Sequence, residues 1–244
     1  MKIPEILEKH RAYLESTYRV SNEITLKRMK TKPWESKVGG CPYLEDIKDY
    51  PLDENHKPMM FLAQINLEEM EPMEDFPTKG LLQFYIADDD YFGLDGACVV
   101  KYIENYKKDD NGLITKNPYE NKYLGYTPFE HEGKMSFSQR KMLIGTSCVE
   151  FEERFYEKVS DEEWEALHDL CYAGDSRIGG YPLFVQTSPA YYDDGVADVL
   201  LLQLDIDDEC GIMFGDAGNC TFLISKEDLK NLNFDQVEYQ WQCC

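Results

Sequence analysis

The stretch Lys-Val-Gly-Gly-Cys-Pro at residues 37–42 occurs a second time as Arg-Ile-Gly-Gly-Tyr-Pro at residues 177–182. Both copies place a cation, a β-branched residue, two glycines and a proline in the same order. A Gly-Gly pair in this setting predicts a backbone with positive φ, or a very close approach by another segment. Because no helical pattern follows the first pair, a phosphate-binding turn is the less favoured interpretation.

Each copy is followed, at similar distances, by two apolar stretches that predict buried strands. They are residues 59–67 and 81–86 after the first copy, and residues 199–205 and 218–224 after the second. The intervening loops differ in length by only two residues in total. The matched pairs are Gln64 with Gln203, Gly80 with Gly218, Phe84 with Phe222, and Ile86 with Ile224.

From these matches we infer an internal duplication. The predicted fold is mainly β with a few helices, an α+β class, with pseudo-twofold, largely antiparallel sheets and an N-terminal helix. Residues 1–244 are expected to form one domain with two repeat halves, at about 33–96 and 174–244. An N-terminal helical segment, 1–32, and a β-rich middle, 97–173, complete it. Equivalent strands are expected to meet at the centre.

Local patterns predict the other elements. Residues 4–16 place apolar side chains on one helical face, and residues 19–27 predict an edge strand, with a helix as an open alternative. Residues 149–155 alternate apolar with charged side chains and predict a strand with one wet face. Ser160 and Glu163 have the spacing of a capping box and predict a helix that begins there.

The chain is strongly acidic, with 47 Asp and Glu against 25 Lys and Arg and a net charge of −22. This charge argues against binding a nucleic-acid backbone. Residues 1–32 are the exception, with eight Lys or Arg and four acids. Two interpretations stay open: a solvated acidic surface with a basic segment folded against it, or a surface that attracts a basic protein.

We expect a cytoplasmic protein with no membrane partner. No apolar run approaches the roughly 20 residues that a spanning helix needs, and the charged start lacks the apolar centre of a signal peptide. The eight cysteines form no Cys-x-x-Cys pair, which predicts reduced thiols and no zinc site. Redox activity of the adjacent Cys243 and Cys244 is the less favoured alternative.

The common hydrolase and nucleotide motifs are missing, so no catalytic residue and no cofactor is predicted. Lys37 and Arg177 are the matched cations and are expected to pair with carboxylates. Gln64 and Gln203 lie in apolar stretches and need hydrogen-bond partners once buried. These four residues are the ligand-binding candidates, at a cleft where the two halves face each other. Duplicated structural hydrogen bonds are the favoured alternative.

An acidic stretch supplies the metal-binding candidates. The oxygens of Asp205, Asp207, Glu209 and Asp216 match positions 1, 3, 5 and 12 of a calcium-loop template. Cys210 stands where the template requires glycine. A divalent-metal site is therefore one hypothesis, and solvated loop carboxylates are the favoured one.

Taken together, the motifs resemble the YwqG-like family of bacterial domains of unknown function, over nearly the whole chain. In the family pattern a Lys stands at the position of Arg177 and a Trp at that of Phe214. An Asp-Pro-Arg run is replaced here by residues 188–190, which counts against an enzyme. The motifs that carry the resemblance are residues 36–43, 61–66, 80–86, 179–182, 215–218 and 239–241.

The resemblance implies a mostly β, duplicated fold with no established activity or cofactor. It also implies, for some members, a place among toxin–immunity genes and hence a binding role. The leading hypothesis is a non-catalytic interaction protein, with an immunity-type inhibitor of a basic toxin as its specific form. The alternative is a small-molecule or divalent-metal-binding protein, or an enzyme, that uses the cleft between the repeats.

Overall fold

In the computed structural model, which describes residues 2–94, 97–120, 122–123 and 126–244, one antiparallel sheet contains ten strands within those residues. In chain order they are β1 Arg19–Arg28, β2 Lys37–Val38, β3 Met60–Asn66, β4 Leu81–Ile86, β5 Cys98–Ile103, β6 Gly133–Met142, β7 Arg177–Gly179, β8 Val199–Leu204, β9 Asn219–Ile224 and β10 Glu238–Gln242. The helices are α1 Arg11–Ser16, α2 Val149–Phe155, α3 Asp161–Cys171, α4 Ala190–Asp193 and α5 Lys226–Lys230. Short 3₁₀ helices lie at Glu5–His10, Ile47–Asp49, Leu67–Glu69 and Phe234–Gln236.

The sheet is built around two long strands. Its order is β10-β9-β8-β7-β1-β6-β2-β3-β4-β5, and β1 pairs with β6 along their whole lengths, from Arg19 opposite Met142 to Arg28 opposite Gly133. On one side of this pair lie β2, β3, β4 and β5, and on the other β7, β8, β9 and β10, each running outward in chain order. The prediction of a mainly β, antiparallel fold is confirmed.

The sheet curls until its two sides meet, giving a nearly closed, barrel-like body. Phe84 on β4 and Phe222 on β9 stack edge to face with ring centroids 4.9 Å apart, although their strands lie near opposite ends of the sheet. At the rim, the thiol of Cys98 on β5 donates to the carbonyl of Val237 just before β10, at 3.6 Å. Buried side chains from both sides form one interior core, so burial of apolar surface stabilises the curled sheet.

Helices α1 to α4 form a second layer with its own core, whereas Leu229 of α5 packs into the core of the sheet. In the helical layer, Leu7, Leu14 and Leu167 are buried with Phe151 and Phe155 of α2. The strand predicted for residues 149–155 is wrong, because the chain forms helix α2 there. Its two phenylalanines are four residues apart, so a helix places both on the buried face, whereas the charged residues between them face out. The predicted capping box of α3 is confirmed, with Ser160 and Glu163 bonding each other's backbone.

The N-terminal segment differs in detail from expectation. The helix predicted over residues 4–16 begins as a 3₁₀ helix and becomes α-helical at Arg11. Residues 19–27 do form a strand, but the edge position is wrong, since β1 lies between β6 and β7. Polar residues of β1 are also covered, because the loop that follows β3 lies over them. Asn22 is buried there and donates to Glu71 O at 2.9 Å.

Among the described residues, no helix is long and apolar enough to cross a membrane.

Candidate functional site

The two glycine pairs have the backbone that the sequence predicts. Gly39 and Gly40 have φ of +61° and +70°, and Gly179 and Gly180 both have φ of +72°. A side chain at Gly179 would lie 2.9 Å from the carbonyl oxygen of Val20, so the pair also lets two strands approach closely. These glycines shape the backbone at the ends of β2 and β7.

Gln64 and Gln203 are fully buried and make matching hydrogen bonds. The Oε1 of Gln64 accepts from Tyr43 N at 2.9 Å, and its Nε2 donates to the carbonyls of Pro33 and Glu35. The Oε1 of Gln203 accepts from Leu183 N at 2.7 Å, and its Nε2 donates to Ala173 O and Asp175 O. Each glutamine thus ties the loops around a glycine pair to the sheet, which is a structural use of its amide.

Lys37 is fully buried with its ammonium group held by backbone oxygens. Its Nζ donates to Lys32 O at 2.5 Å and to Cys41 O at 2.9 Å. Burial lowers the pKa of Lys37 to about 8, against the opposing attraction of Glu132. No ion pair of Lys37 is found in the described part of the chain, so the expected carboxylate partner is replaced by carbonyls.

Arg177 is also fully buried but is poorly satisfied. Its Nε reaches Asp175 O at 3.4 Å, its Nη1 contacts the thioether of Met142 at 3.2 Å, and its Nη2 has no hydrogen-bond partner among the described residues. Burial lowers the pKa of Arg177 to about 10, and repulsion from Arg140 contributes to the same shift. The guanidinium therefore stays charged at neutral pH without a carboxylate bound to it.

The four candidates form two separate pairs and do not share one cleft. Lys37 lies opposite Gln64 in the β2–β3 ladder, and Arg177 lies opposite Gln203 in the β7–β8 ladder. Strands β1 and β6 stand between the two pairs. Any ligand site must therefore be sought at one pair at a time.

A cleft of about 440 Å³ does lie between the two sides of the sheet. It forms where the loop at residues 72–76 crosses β1 and β7, and Gly179 and Gly180 line it, whereas Lys37 and Arg177 do not. Its charges are mixed, and Lys226 is already paired with Asp75 at 2.7 Å. We assign no ligand to this cleft.

The acidic stretch forms a hairpin. Asp207 and Ile212 exchange backbone hydrogen bonds across it, and the carboxylate of Asp207 accepts from Cys210 N at the turn. Asp205 accepts from the backbone N of Asp175 and of Ile206. Within the described residues, no group of three or more His, Cys, Asp or Glu could hold a metal ion. Calcium binding by Asp205, Asp207, Glu209 and Asp216 stays a prediction.

The hairpin also presents apolar side chains that the sequence analysis did not single out. Ile206 and Met213 flank the bridged pair and are 49% and 50% exposed, and Tyr126 is 78% exposed. Met213 N donates to Pro128 O at 3.0 Å, which brings residues 126–130 alongside. We call this surface the hairpin face: Tyr126, Ile206 and Met213 with the acids Glu130, Asp208, Glu209 and Asp216. Apolar residues alternating within an acidic stretch are the signal that could have revealed it.

The comparisons with known proteins identify a family but no activity. No curated protein matches the chain. The model of a family described as a domain of unknown function, DUF1963, matches residues 36–243. That match includes both glycine pairs, both buried glutamines and the hairpin. The chain therefore belongs to the DUF1963 family.

Proposed function

We propose that the protein is a non-catalytic binding module for a basic protein partner, which it contacts through the hairpin face. The observation that carries this proposal is a set of exposed apolar side chains beside three acids that are not ion-paired. In the residues the structure describes, Asp208, Glu209 and Asp216 form no salt bridge. Their charge is therefore available to a partner.

The composition of the surface suits protein recognition. Interfaces combine an apolar centre with a polar rim, and large exposed side chains such as Met213 and Tyr126 are of the type that anchors them. The net charge of −22 adds a long-range field that speeds encounter with a basic protein and repels acidic ones.

An immunity-type inhibitor of a basic toxin is the narrower form of this proposal. It is supported by the acidic surface and by the resemblance to the YwqG-like family. Membership of that family is itself a proposal. A toxin gene beside the gene for this protein, and protection from that toxin on co-expression, would be the corresponding observations.

The experiment compares three baits in lysate of the native organism. They are the wild type, a hairpin variant with Asp208→Asn, Glu209→Gln and Asp216→Asn, and a control variant with Glu54→Gln, Glu153→Gln and Glu238→Gln. Both variants lose three charges, and the control acids are exposed residues that do not belong to the hairpin face. Proteins retained at low and moderate salt are quantified by mass spectrometry.

We expect a basic protein to be retained by the wild type and the control, and at least tenfold less by the hairpin variant. Equal retention by both variants would show that only net charge matters and would contradict the proposed surface. Retention of acidic proteins alone, or of none, would contradict the proposed function.

We also infer that the two halves are copies of one structural unit. The support is the order of strands on either side of β1 and β6, together with matched contacts at matched positions. Besides the glutamine bonds, Ser36 Oγ accepts from Asn66 N and Ser176 Oγ accepts from Asp205 N. Under this duplication, Lys37 and Arg177 are equivalent residues with different surroundings.

A further inference from the structure

A second open pocket, of about 590 Å³, lies beside the buried Arg177. It is formed where the end of β6 faces the end of α3, and its lining includes Arg140, Lys141, Met142, Asp169, Leu170 and Tyr172. Its volume falls within the range of small-molecule sites. Because Tyr172 is 58% exposed, it offers an aromatic surface at the mouth.

The guanidinium of Arg177 does not line this pocket but lies behind Met142, one of its lining residues. Its Nη1 is 3.2 Å from the Sδ of Met142, which itself lines the pocket. The charges of Arg177 and Arg140 act on one another, and the charge of Arg177 also acts on Tyr172. Met142 therefore contacts the guanidinium and separates it from the open space.

The present neighbours leave this cation under-satisfied. A thioether is a weak acceptor, Asp175 O is at 3.4 Å, and Nη2 has no partner in the described part of the chain. A buried charge without a paired opposite charge is destabilising. The equivalent Lys37 likewise has no paired carboxylate, but two carbonyl oxygens accept from its ammonium group.

Most of the other charged side chains around the pocket already have interaction partners. Arg140 is paired with Glu23 at 2.5 Å, and Lys141 lies over the ring of Tyr18 at 5.8 Å. Glu23, opposite Arg177 in the β1–β7 ladder, attracts Arg177 most, followed by Asp175 and Asp205, but none of the three forms a salt bridge with it. Asp169 is the acid among the lining residues named above. Arg140 and Arg177 thus lie close enough to repel each other, and Lys141 is a further cation among the lining residues, in a protein of net charge −22.

We propose that this pocket binds a small molecule with an oxyanion group, and that Arg177 is the residue that binds the oxyanion. The flexible side chain of Met142 moves aside and the oxyanion takes its place against the guanidinium, where a bidentate contact satisfies Nη1 and Nη2. Lys141 attracts the ligand at the rim of the pocket, and the rest of the ligand packs against Leu170 and Tyr172. The proposal does not depend on the hairpin face.

The experiment titrates the full chain with inorganic phosphate, acetate, succinate and benzoate, with ionic strength held constant by sodium chloride. Thermal unfolding and calorimetry report binding, since a ligand of the folded state raises the melting temperature. The phosphate and carboxylate arms distinguish the two oxyanion chemistries. Arg177→Met removes the proposed contact, and its matched control, Lys37→Met, removes the equivalent cation of the other half.

We expect at least one oxyanion to raise the melting temperature above the chloride control, with Lys37→Met binding it like the wild type. Arg177→Met should weaken binding at least tenfold. A second pair of variants does not touch the buried Arg177. Lys141→Gln at the rim should weaken binding about threefold, and the exposed Lys57→Gln, away from the lining residues, should not. Stabilisation by none of the four anions, or wild-type binding by Lys141→Gln and Arg177→Met, would overturn the proposal.

Discussion

Gln64 and Gln203 hold the loops around the two glycine pairs. Each accepts from one backbone N–H and donates to two backbone carbonyls, while lying fully buried. The sequence indicates that glutamines in apolar strands need such partners. It does not indicate which backbone groups they bind, because the partners belong to loops with no pattern of their own.

Replacing Gln203 by Leu should destabilise the protein by about 3 kcal/mol. Three backbone groups, on Leu183, Ala173 and Asp175, would lose their partner inside the protein. Urea unfolding measures the change. Gln240→Leu is the control, because its buried Nε2 has no partner in the described residues, and it should cost less than about 0.5 kcal/mol. Equal effects of the two substitutions would contradict this role.

Lys37 predicts a pH dependence of stability. Its folded-state pKa is about 8, below the ordinary 10.5. Between these values the unfolded chain holds a proton that the folded chain has released, so Lys37 makes stability rise with pH, by at most about 1.4 kcal/mol per pH unit. Below pH 8 both states are charged and its contribution is flat.

The measurement is the free energy of unfolding from pH 7 to 10.5 for the wild type and Lys37→Met. Tyrosines and cysteines titrate in both proteins, so the difference in slope isolates Lys37. We expect the wild-type slope to be the more positive one above pH 8. Parallel curves would contradict a lowered pKa for this lysine.

At the scale of elements, strands were more predictable than helices. The apolar stretch at residues 81–86 coincides with β4, since a buried strand needs continuous apolar residues. The pattern of residues 149–155 wrongly predicted a strand, because Phe151 and Phe155 lie on the same face in a strand as well as in a helix. Only the position of the segment, over the core of the helical layer, decides between the two.

The cap of α3 fixes where that helix begins. Ser160 Oγ accepts from Glu163 N at 3.3 Å, and Glu163 in turn accepts from Ser160 N at 3.1 Å. Ser160→Ala should therefore destabilise the protein by about 1 kcal/mol, whereas Ser160→Thr keeps the hydroxyl and should cost little. Urea unfolding of the two variants tests this, and an alanine variant as stable as the wild type would contradict it.

At the scale of the molecule, the repeat predicted that equivalent strands meet at the centre. In the sheet, β1 and β6, which lie outside the repeated stretches, occupy that place between β7 and β2. Their pairing joins residues more than a hundred positions apart, from Arg19 with Met142 onward, and no local pattern reports such a distance. The hairpin face was missed for a related reason, because residues 126–130 reach it only through tertiary contacts.

The net charge of −22 should make stability depend on salt. Mutual repulsion of exposed acids opposes the compact state, and salt screens it. Raising sodium chloride from about 10 mM to about 200 mM should raise the melting temperature by about 2–4 °C. The variant with Glu54→Gln, Glu153→Gln and Glu238→Gln should gain less. A melting temperature that falls with salt would show that surface ion pairs dominate instead.

The claim that a basic protein docks on the hairpin face is tested most directly by amide hydrogen exchange. The chain is measured alone and with the basic protein that the bait experiment identifies. The account predicts slower exchange at residues 205–216 and 126–130 in the complex, with no change around Glu54 and Glu153. Protection elsewhere, with exchange in the hairpin unchanged, would contradict it.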